Sequence, residues 1–156
     1  MRAHAELIEH FYASFARRDA AAMIACYAPD ATFRDPIFDV AGPDVGAMWT
    51  MFCERGRDLS LEWRDVRADA AGGAAHWEPR YTFSVTGRPV HNVIDSRFTF
   101  RDGRIAAHAD TFDLWRWSRM AIGTKAVLLG WTPFVQRAIR AEARRSFEGW
   151  KARRRP

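Results

Sequence analysis

The stretch Val90-His91-Asn92-Val93-Ile94-Asp95-Ser96-Arg97-Phe98-Thr99-Phe100, then Arg101-Asp102-Gly103-Arg104, then Ile105-Ala106-Ala107-His108-Ala109-Asp110-Thr111-Phe112-Asp113-Leu114-Trp115-Arg116-Trp117 decides the fold. Two runs rich in aromatic and β-branched residues meet at an Asp-Gly turn, which predicts a β-hairpin. Strand side chains alternate, so His108, Asp110, Phe112 and Leu114 share one face of the second strand. An imidazole and a carboxylate therefore stand in an apolar row.

The turn sets which residues of the first strand join them. A two-residue Asp102-Gly103 loop pairs Arg101 with Arg104 and sets Asp95 opposite Asp110 and Arg97 opposite His108. A three-residue loop with a left-handed Gly103 pairs Phe100 with Arg104 and moves the register by one. The second register is preferred, because it puts Ile94, Ser96, Phe98 and Phe100 on the face of His108 and Asp110, where a slip would strand them.

Upstream, Leu7, Ile8, Phe11, Tyr12 and Phe15 recur at helical spacing and predict an amphipathic helix over about residues 3–17. Asp19 caps a short second helix through Met23, Ile24 and Tyr27. Ala31 to Asp35 alternates as a short strand that ends at Pro36, with Ala31, Phe33 and Asp35 on one side. Val45, Met48, Trp49 and Phe52 mark a third helix after Gly42-Pro43-Asp44. The strand from Leu61 changes phase near Asp65-Val66, which predicts a bulge. From Ala75 to Val85 the alternation is regular, and Pro79 inside it implies an edge or a bulge. Helices followed by a run of strands predict an α+β fold: N-terminal helices packed on a strongly curved antiparallel sheet that encloses a conical cavity, plus a C-terminal helical extension.

At 156 residues, 48% hydrophobic and 28% charged, the chain has the length and composition of one globular domain. Cys26 and Cys53 lie in apolar helical patterns and read as buried thiols. No signal peptide opens the chain, and no apolar run reaches the ~18 residues of a membrane span, so the cytoplasm is the expectation. The net charge of +5 is localised: Pro133 to Pro156 holds eight basic and two acidic residues, whereas Met1 to Thr132 is nearly neutral. No Gly-rich phosphate loop, Walker pattern or nucleophile elbow is present, which argues against nucleotide and covalent acyl chemistry. His4, His10 and His91 make no ligand spacing with an acid, so no metal and no cofactor is expected.

The segments Tyr27-Ala28-Pro29-Asp30-Ala31-Thr32-Phe33-Arg34-Asp35-Pro36 and Phe98-Thr99-Phe100-Arg101-Asp102-Gly103-Arg104-Ile105, continuing through Leu114, resemble the nuclear transport factor 2-like superfamily. The likeness is to its SnoaL-like, ketosteroid-isomerase-like and limonene-epoxide-hydrolase-like branches, over roughly residues 3–117. It implies a cone-shaped fold, usually dimeric through the sheet, with a pocket for a small apolar molecule. Asp35 falls where the steroid isomerases keep their general base, but their oxyanion-hole tyrosine falls at Phe11 and their second acid at Ser96. Asp110 falls where the limonene epoxide hydrolases place a water-activating aspartate, with Trp77 and Pro79 in place of that triad's Arg and Asp. SnoaL-like cyclases, by similarity, use a pocket aspartate near Asp110 as acid/base.

These readings give a domain over residues 1–117 and a basic helical extension over 118–156. The candidate catalytic residues are Asp110, His108 and Asp35, because an imidazole beside a carboxylate in an apolar row can pass protons near neutral pH. Tyr12, Trp49, Phe52, Trp77, Tyr81, Phe83, Phe98 and Phe112 line a ligand cavity or fill the core. Tyr12, Tyr27 and Tyr81 are the phenols available for oxyanion binding. The expected activity is cofactor-free proton transfer on an apolar carbonyl or epoxide, by an isomerase, cyclase or epoxide hydrolase. The alternative is a non-catalytic ligand-binding or dimeric scaffold domain. A homodimer is expected through the sheet face of Val93, Asp95, Arg97 and the odd-numbered residues of the strand from 105 to 117. Asp95 and Arg97 are expected to pair there. In the extension, Val135, Ile139, Ala143, Phe147 and Trp150 form one helical stripe flanked by arginines. It fits an anionic membrane surface and, loosely, nucleic-acid phosphate. Packing on protein, either on a partner subunit or as a lid on the cone, is favoured over both.

Overall fold

The computed structural model describes Arg2–Pro156. Helix α1 (Arg2–Ala16) buries Ile8, Phe11, Tyr12 and Phe15 along one stripe. Asp19 caps α2 (Ala20–Ala25) by accepting from the Ala22 amide at 3.0 Å. Strand β1 (Tyr27–Arg34) and the short β2 (Asp39–Ala41) lead into α3 (Pro43–Arg55). Strands β3 (Ser60–Ala68), β4 (Gly73–Phe83), β5 (Arg88–His91), β6 (Ile94–Arg101) and β7 (Arg104–Thr111) follow. The chain ends in α4 (Leu114–Ala121), α5 (Thr124–Leu129) and the long α6 (Pro133–Arg154).

The strands form one seven-stranded sheet in the order β2-β1-β7-β6-β4-β3, with β5 added to the far end of β4. It is mixed, since β1 runs parallel to β7 while the other pairs are antiparallel. Two predicted irregularities are present. Asp65 adopts φ 58° where the β3–β4 register shifts between Arg64 and Arg67. Pro79 sits where β4 changes partner, between its pairing with β6, which ends at Trp77, and with β5, which begins at Arg80. A missing amide is least costly at such a switch.

The central hairpin has the turn of the first register and the inward face of the second, but the preferred pairing of Phe100 with Arg104 does not form. Asp102 and Gly103 have φ of 52° and 74°, and Arg101 pairs with Arg104, so the loop has two residues. The register then shifts between Phe100↔Ile105 and Thr99↔Ala107, leaving Ala106 as an extra residue in β7. Beyond that bulge Phe98 faces His108 and Ser96 faces Asp110. The expected face is thus reached by a bulge in the strand instead of a longer turn. The change of phase lets Ile105, His108 and Asp110 all point inward, at 0%, 2% and 4% exposure.

The second strand is shorter than its pattern implied. It stops at Thr111, and Asp113 caps α4 by accepting from the Arg116 amide at 3.0 Å. Leu114, Trp117, Ser118 and Ala121, spaced i, i+3, i+4 and i+7, are the buried face of that helix. Leu114 and Trp117 therefore do not extend the strand, and Trp117 turns inward, away from any outer sheet face. Other corrections concern the surface. Asp95 pairs with His76 at 2.8 Å, not with Arg97, and His76 and His91 both reach Glu78. Val85 lies beyond β4 and is exposed.

The main core lies between α1, α3 and the inner sheet face, with Trp49, Phe11, Phe33 and Tyr12 at its centre. Cys26 and Cys53 are buried free thiols. Helix α6 belongs to the same body. Its Phe147 and Trp150 join the main core, Trp150 donates to Glu54 at 2.9 Å, and Lys151 pairs with Asp44 at 3.1 Å. The regular stripe of α6 thus finds protein, as its burial energetics favour. Among the described residues no helix is long and apolar enough to cross a membrane.

Candidate active site

A cavity of about 560 Å³ opens between α3, β4, α4 and α6. Trp49, Phe52, Trp77, Tyr81 and Phe83, all expected at a ligand site, line it. Helix α6 contributes Val135, Ile139 and Ala143, so the C-terminal extension forms one wall. Tyr12, Phe98 and Phe112 are not part of the lining. Tyr12 and Phe98 point into the main core, where they pack edge to face, while Phe112 fills space beside both apolar clusters.

Two carboxylates reach this lining, Asp110 and Glu142. Glu142 is an exposed residue of α6, whereas Asp110 is 4% exposed at the inner end. Burying an unpaired carboxylate is costly, and a chain of hydrogen bonds meets that cost. Asp110 Oδ1 accepts from Ser96 Oγ and lies 2.8 Å from His108 Nε2. Ser96 Oγ in turn accepts from the Tyr12 hydroxyl at 2.7 Å and the Trp77 indole at 3.0 Å. On the other side His108 Nδ1 is 2.7 Å from the Tyr27 hydroxyl, which accepts from the Trp49 indole at 2.9 Å.

One arrangement of protons gives every donor in this chain an acceptor. Trp49 donates to the Tyr27 oxygen, and the Tyr27 hydroxyl donates to His108 Nδ1. A neutral His108 then carries its proton on Nε2 and donates it to Asp110. Aromatic rings enclose the imidazole, with Phe98, Phe33 and Phe11 at centroid distances of 4.3, 5.0 and 5.6 Å. Burial, and next the nearby Asp110 charge, holds the Tyr12 and Tyr27 hydroxyls well above the usual phenol range, so both remain donors. Every hydrogen bond of Asp110 falls on Oδ1. Oδ2 is left without a protein partner among the described residues, in a side chain that borders the cavity.

Asp35 is placed differently from expectation. Its neighbours Ile37 and Phe38 line the cavity, but Asp35 does not. Asp35 Oδ1 accepts from the backbone amides of Ile37 and Phe38 at 2.7 and 2.6 Å, which closes the turn after β1. Burial nonetheless raises its pKa from 3.8 to about 7, against the lowering effect of those amides, and Asp110 adds to the rise. Asp35 therefore carries a proton part of the time at neutral pH, behind the wall. Tyr81 is on the wall itself. Its hydroxyl accepts from the Trp117 indole at 2.9 Å, and burial pushes its pKa to about 12, so its own hydrogen is held and can be donated.

Sequence reasoning placed Asp110 and His108 together but missed Ser96 as their partner and Tyr27 as the group that sets the tautomer. The inward alternation of Ser96 between Ile94 and Phe98 was the signal for the first. Tyr27 carried no comparable signal, because its role depends on the parallel β1–β7 pairing of Tyr27 with Ile105.

Among solved structures, AclR of Streptomyces galilaeus, a candidate hydroxylase, is 20% identical, with 83% of this chain and 98% of that chain covered and a TM-score of 0.65. IdmH of Streptomyces antibioticus, a candidate polyketide cyclase, is 20% identical over 78% of this chain and 99% of that one, with a TM-score of 0.64. Bal32a, from a soil-derived mobile gene cassette, is 17% identical over 76% and 96%, with a TM-score of 0.67. At these identities the likeness is one of fold. No curated protein matches the sequence significantly. The profile of the SnoaL-like domain matches residues 8–108, from within α1 through the β1 strand to His108 of the hairpin, and on that match the chain belongs to the SnoaL-like family of the nuclear transport factor 2-like superfamily.

Proposed function

We propose that the protein is a cofactor-free enzyme that moves a proton on a small apolar carbonyl compound, with Asp110 Oδ2 as the general base and acid. The observation that carries this reading is the asymmetry of Asp110. One oxygen is held by Ser96 and His108, and the other has no protein partner among the described residues, in a side chain that borders an apolar cavity. Such a carboxylate is oriented before substrate arrives and needs no reorganisation when charge moves.

The carbonyl oxygen of a substrate in this cavity takes its hydrogen bond from Tyr81, whose hydroxyl is polarised by the Trp117 indole. Asp110 Oδ2 removes a hydrogen from the carbon next to that carbonyl, forming an enolate or enol, and returns it at the same or a conjugated carbon, or after a new carbon–carbon bond has formed. His108 keeps its Nε2 hydrogen on Oδ1, which stabilises the carboxylate, and Asp110 regains its resting state when the proton on Oδ2 leaves with the product. Asp35 acts through its charge on Asp110 and Tyr81 and not by contact. The epoxide-hydrolase reading is weaker, since Trp77 and Pro79 stand where that chemistry needs an Arg and an Asp.

The test is exchange of the α-hydrogens of 2-tetralone in D2O, followed by proton NMR. Wild-type protein is expected to accelerate exchange, and Asp110→Asn to lose that acceleration by about 10²-fold or more, the usual worth of a positioned acid or base. A wild-type protein that binds the ketone and leaves exchange at the buffer rate would support a ligand-binding domain instead.

A further inference from the structure

We propose that the corner joining α5 to α6 docks on an anionic phospholipid surface, with the mouth of the cavity beside the contact. Five large apolar side chains crowd this corner and face outward: Val127, Leu128, Leu129, Trp131 and Phe134 are 47%, 69%, 55%, 61% and 74% exposed. They are separate from the apolar stripe of α6, which packs inward through Ile139, Phe147 and Trp150. A contiguous patch of this kind on a protein surface marks an interaction site.

Charge selects the partner. From Leu114 to Ala141 the sequence contains no Asp or Glu but has Arg116, Arg119, Lys125, Arg137 and Arg140. Lys125 and Arg137 flank the apolar corner, are exposed, and make no ion pair among the described residues. Leu and Trp at a projecting tip with unopposed cations beside them match the interfacial region of an anionic bilayer, where acyl chains lie beneath phosphate. The corner also touches the cavity, because Ile122 and Val135, on either side of it, belong to the lining. An apolar compound dissolved in lipid thus reaches the cavity without crossing water.

Flotation of the full-length protein with vesicles tests the proposal. Wild-type protein is expected to float with equal parts phosphatidylglycerol and phosphatidylcholine, less so as salt is raised, and not with phosphatidylcholine alone. Leu128→Ser combined with Trp131→Ser abolishes flotation. Lys125→Gln combined with Arg137→Gln weakens the partition coefficient about 25-fold, about fivefold per cation. All four side chains are exposed, and unchanged circular dichroism and Tm confirm that the variants fold. The proposal is overturned by absence of flotation, by equal flotation on neutral vesicles, or by variants that float like wild type. It is also overturned if wild type ignores vesicles and self-associates in a way that the Leu128/Trp131 variant abolishes, since the corner is then a contact between copies. None of these readouts involves turnover, so the result stands apart from the proton-transfer reading.

Discussion

Replacing Asp35 by Asn removes a half-buried charge while keeping an oxygen that can accept from the amides of Ile37 and Phe38. In the folded protein burial raises the Asp35 pKa from 3.8 to about 7. The folded state therefore holds this proton more tightly than the unfolded chain does. The contribution of Asp35 to stability is most favourable below the unfolded pKa, is lost as pH rises toward the folded pKa, and is constant above it. The gap corresponds to about 4 kcal/mol in all, at about 1.4 kcal/mol per pH unit inside the window. The side-chain amide of Asp35→Asn does not titrate, so the stability of the variant minus that of wild type rises with pH. Urea denaturation from about pH 5 to about pH 8 is expected to show a rise of about 2 to 3 kcal/mol, levelling off above pH 7. A difference that stays constant across this range would refute the burial argument, and with it the claim that Asp35 is a near-neutral acid behind the cavity wall.

Ser96→Ala strips the acceptor from the Tyr12 hydroxyl and the Trp77 indole and a donor from Asp110. It is expected to cost about 2 kcal/mol or more in urea denaturation, and a cost under about 0.5 kcal/mol would mean that the network is not sealed. Phe147→Ala removes a buried ring that ties α6 to the core and is expected to cost about 3 to 5 kcal/mol; a surface-like effect would mean that α6 is not part of the folded body. Trp117→Phe takes the indole donor from Tyr81 and is expected to weaken 2-tetralone binding and slow its exchange several-fold without unfolding the protein. For the remaining outer sheet face, around Val93, Asp95 and Arg97, we propose a homodimer contact: sedimentation at micromolar concentration is expected to give a dimer, and a monomer removes the proposal.

The parts of the fold that were legible are those governed by local rules. Asp102-Gly103 turned the hairpin, Asp19 capped α2, the phase change at Asp65 marked a bulge, and Pro79 marked a change of strand partner. The site was half legible for the same reason: alternation put His108, Asp110 and Ser96 on one face. What escaped was set by tertiary context. Leu114 continues the strand pattern as well as it opens a helix, and the side chain of Asp113 decides between them by capping. The extra residue at Ala106 has no signature in an alanine pair, yet it turns both Ile105 and Asp110 inward. Which aromatics line the cavity and which fill the core depends on where α6 lies, and no residue of the hairpin encodes that.

Proton transfer in this cavity requires that Asp110 present one free oxygen to an apolar substrate beside the Tyr81 hydroxyl. A crystal structure of Asp110→Asn with bound 2-tetralone tests it most directly. The ketone oxygen is expected within hydrogen-bond distance of Tyr81, and a carbon next to the carbonyl within about 3.5 Å of the substituted side chain at position 110. A ketone bound outside the cavity, or inside it with those carbons turned away from position 110, would rule out Asp110 as the base.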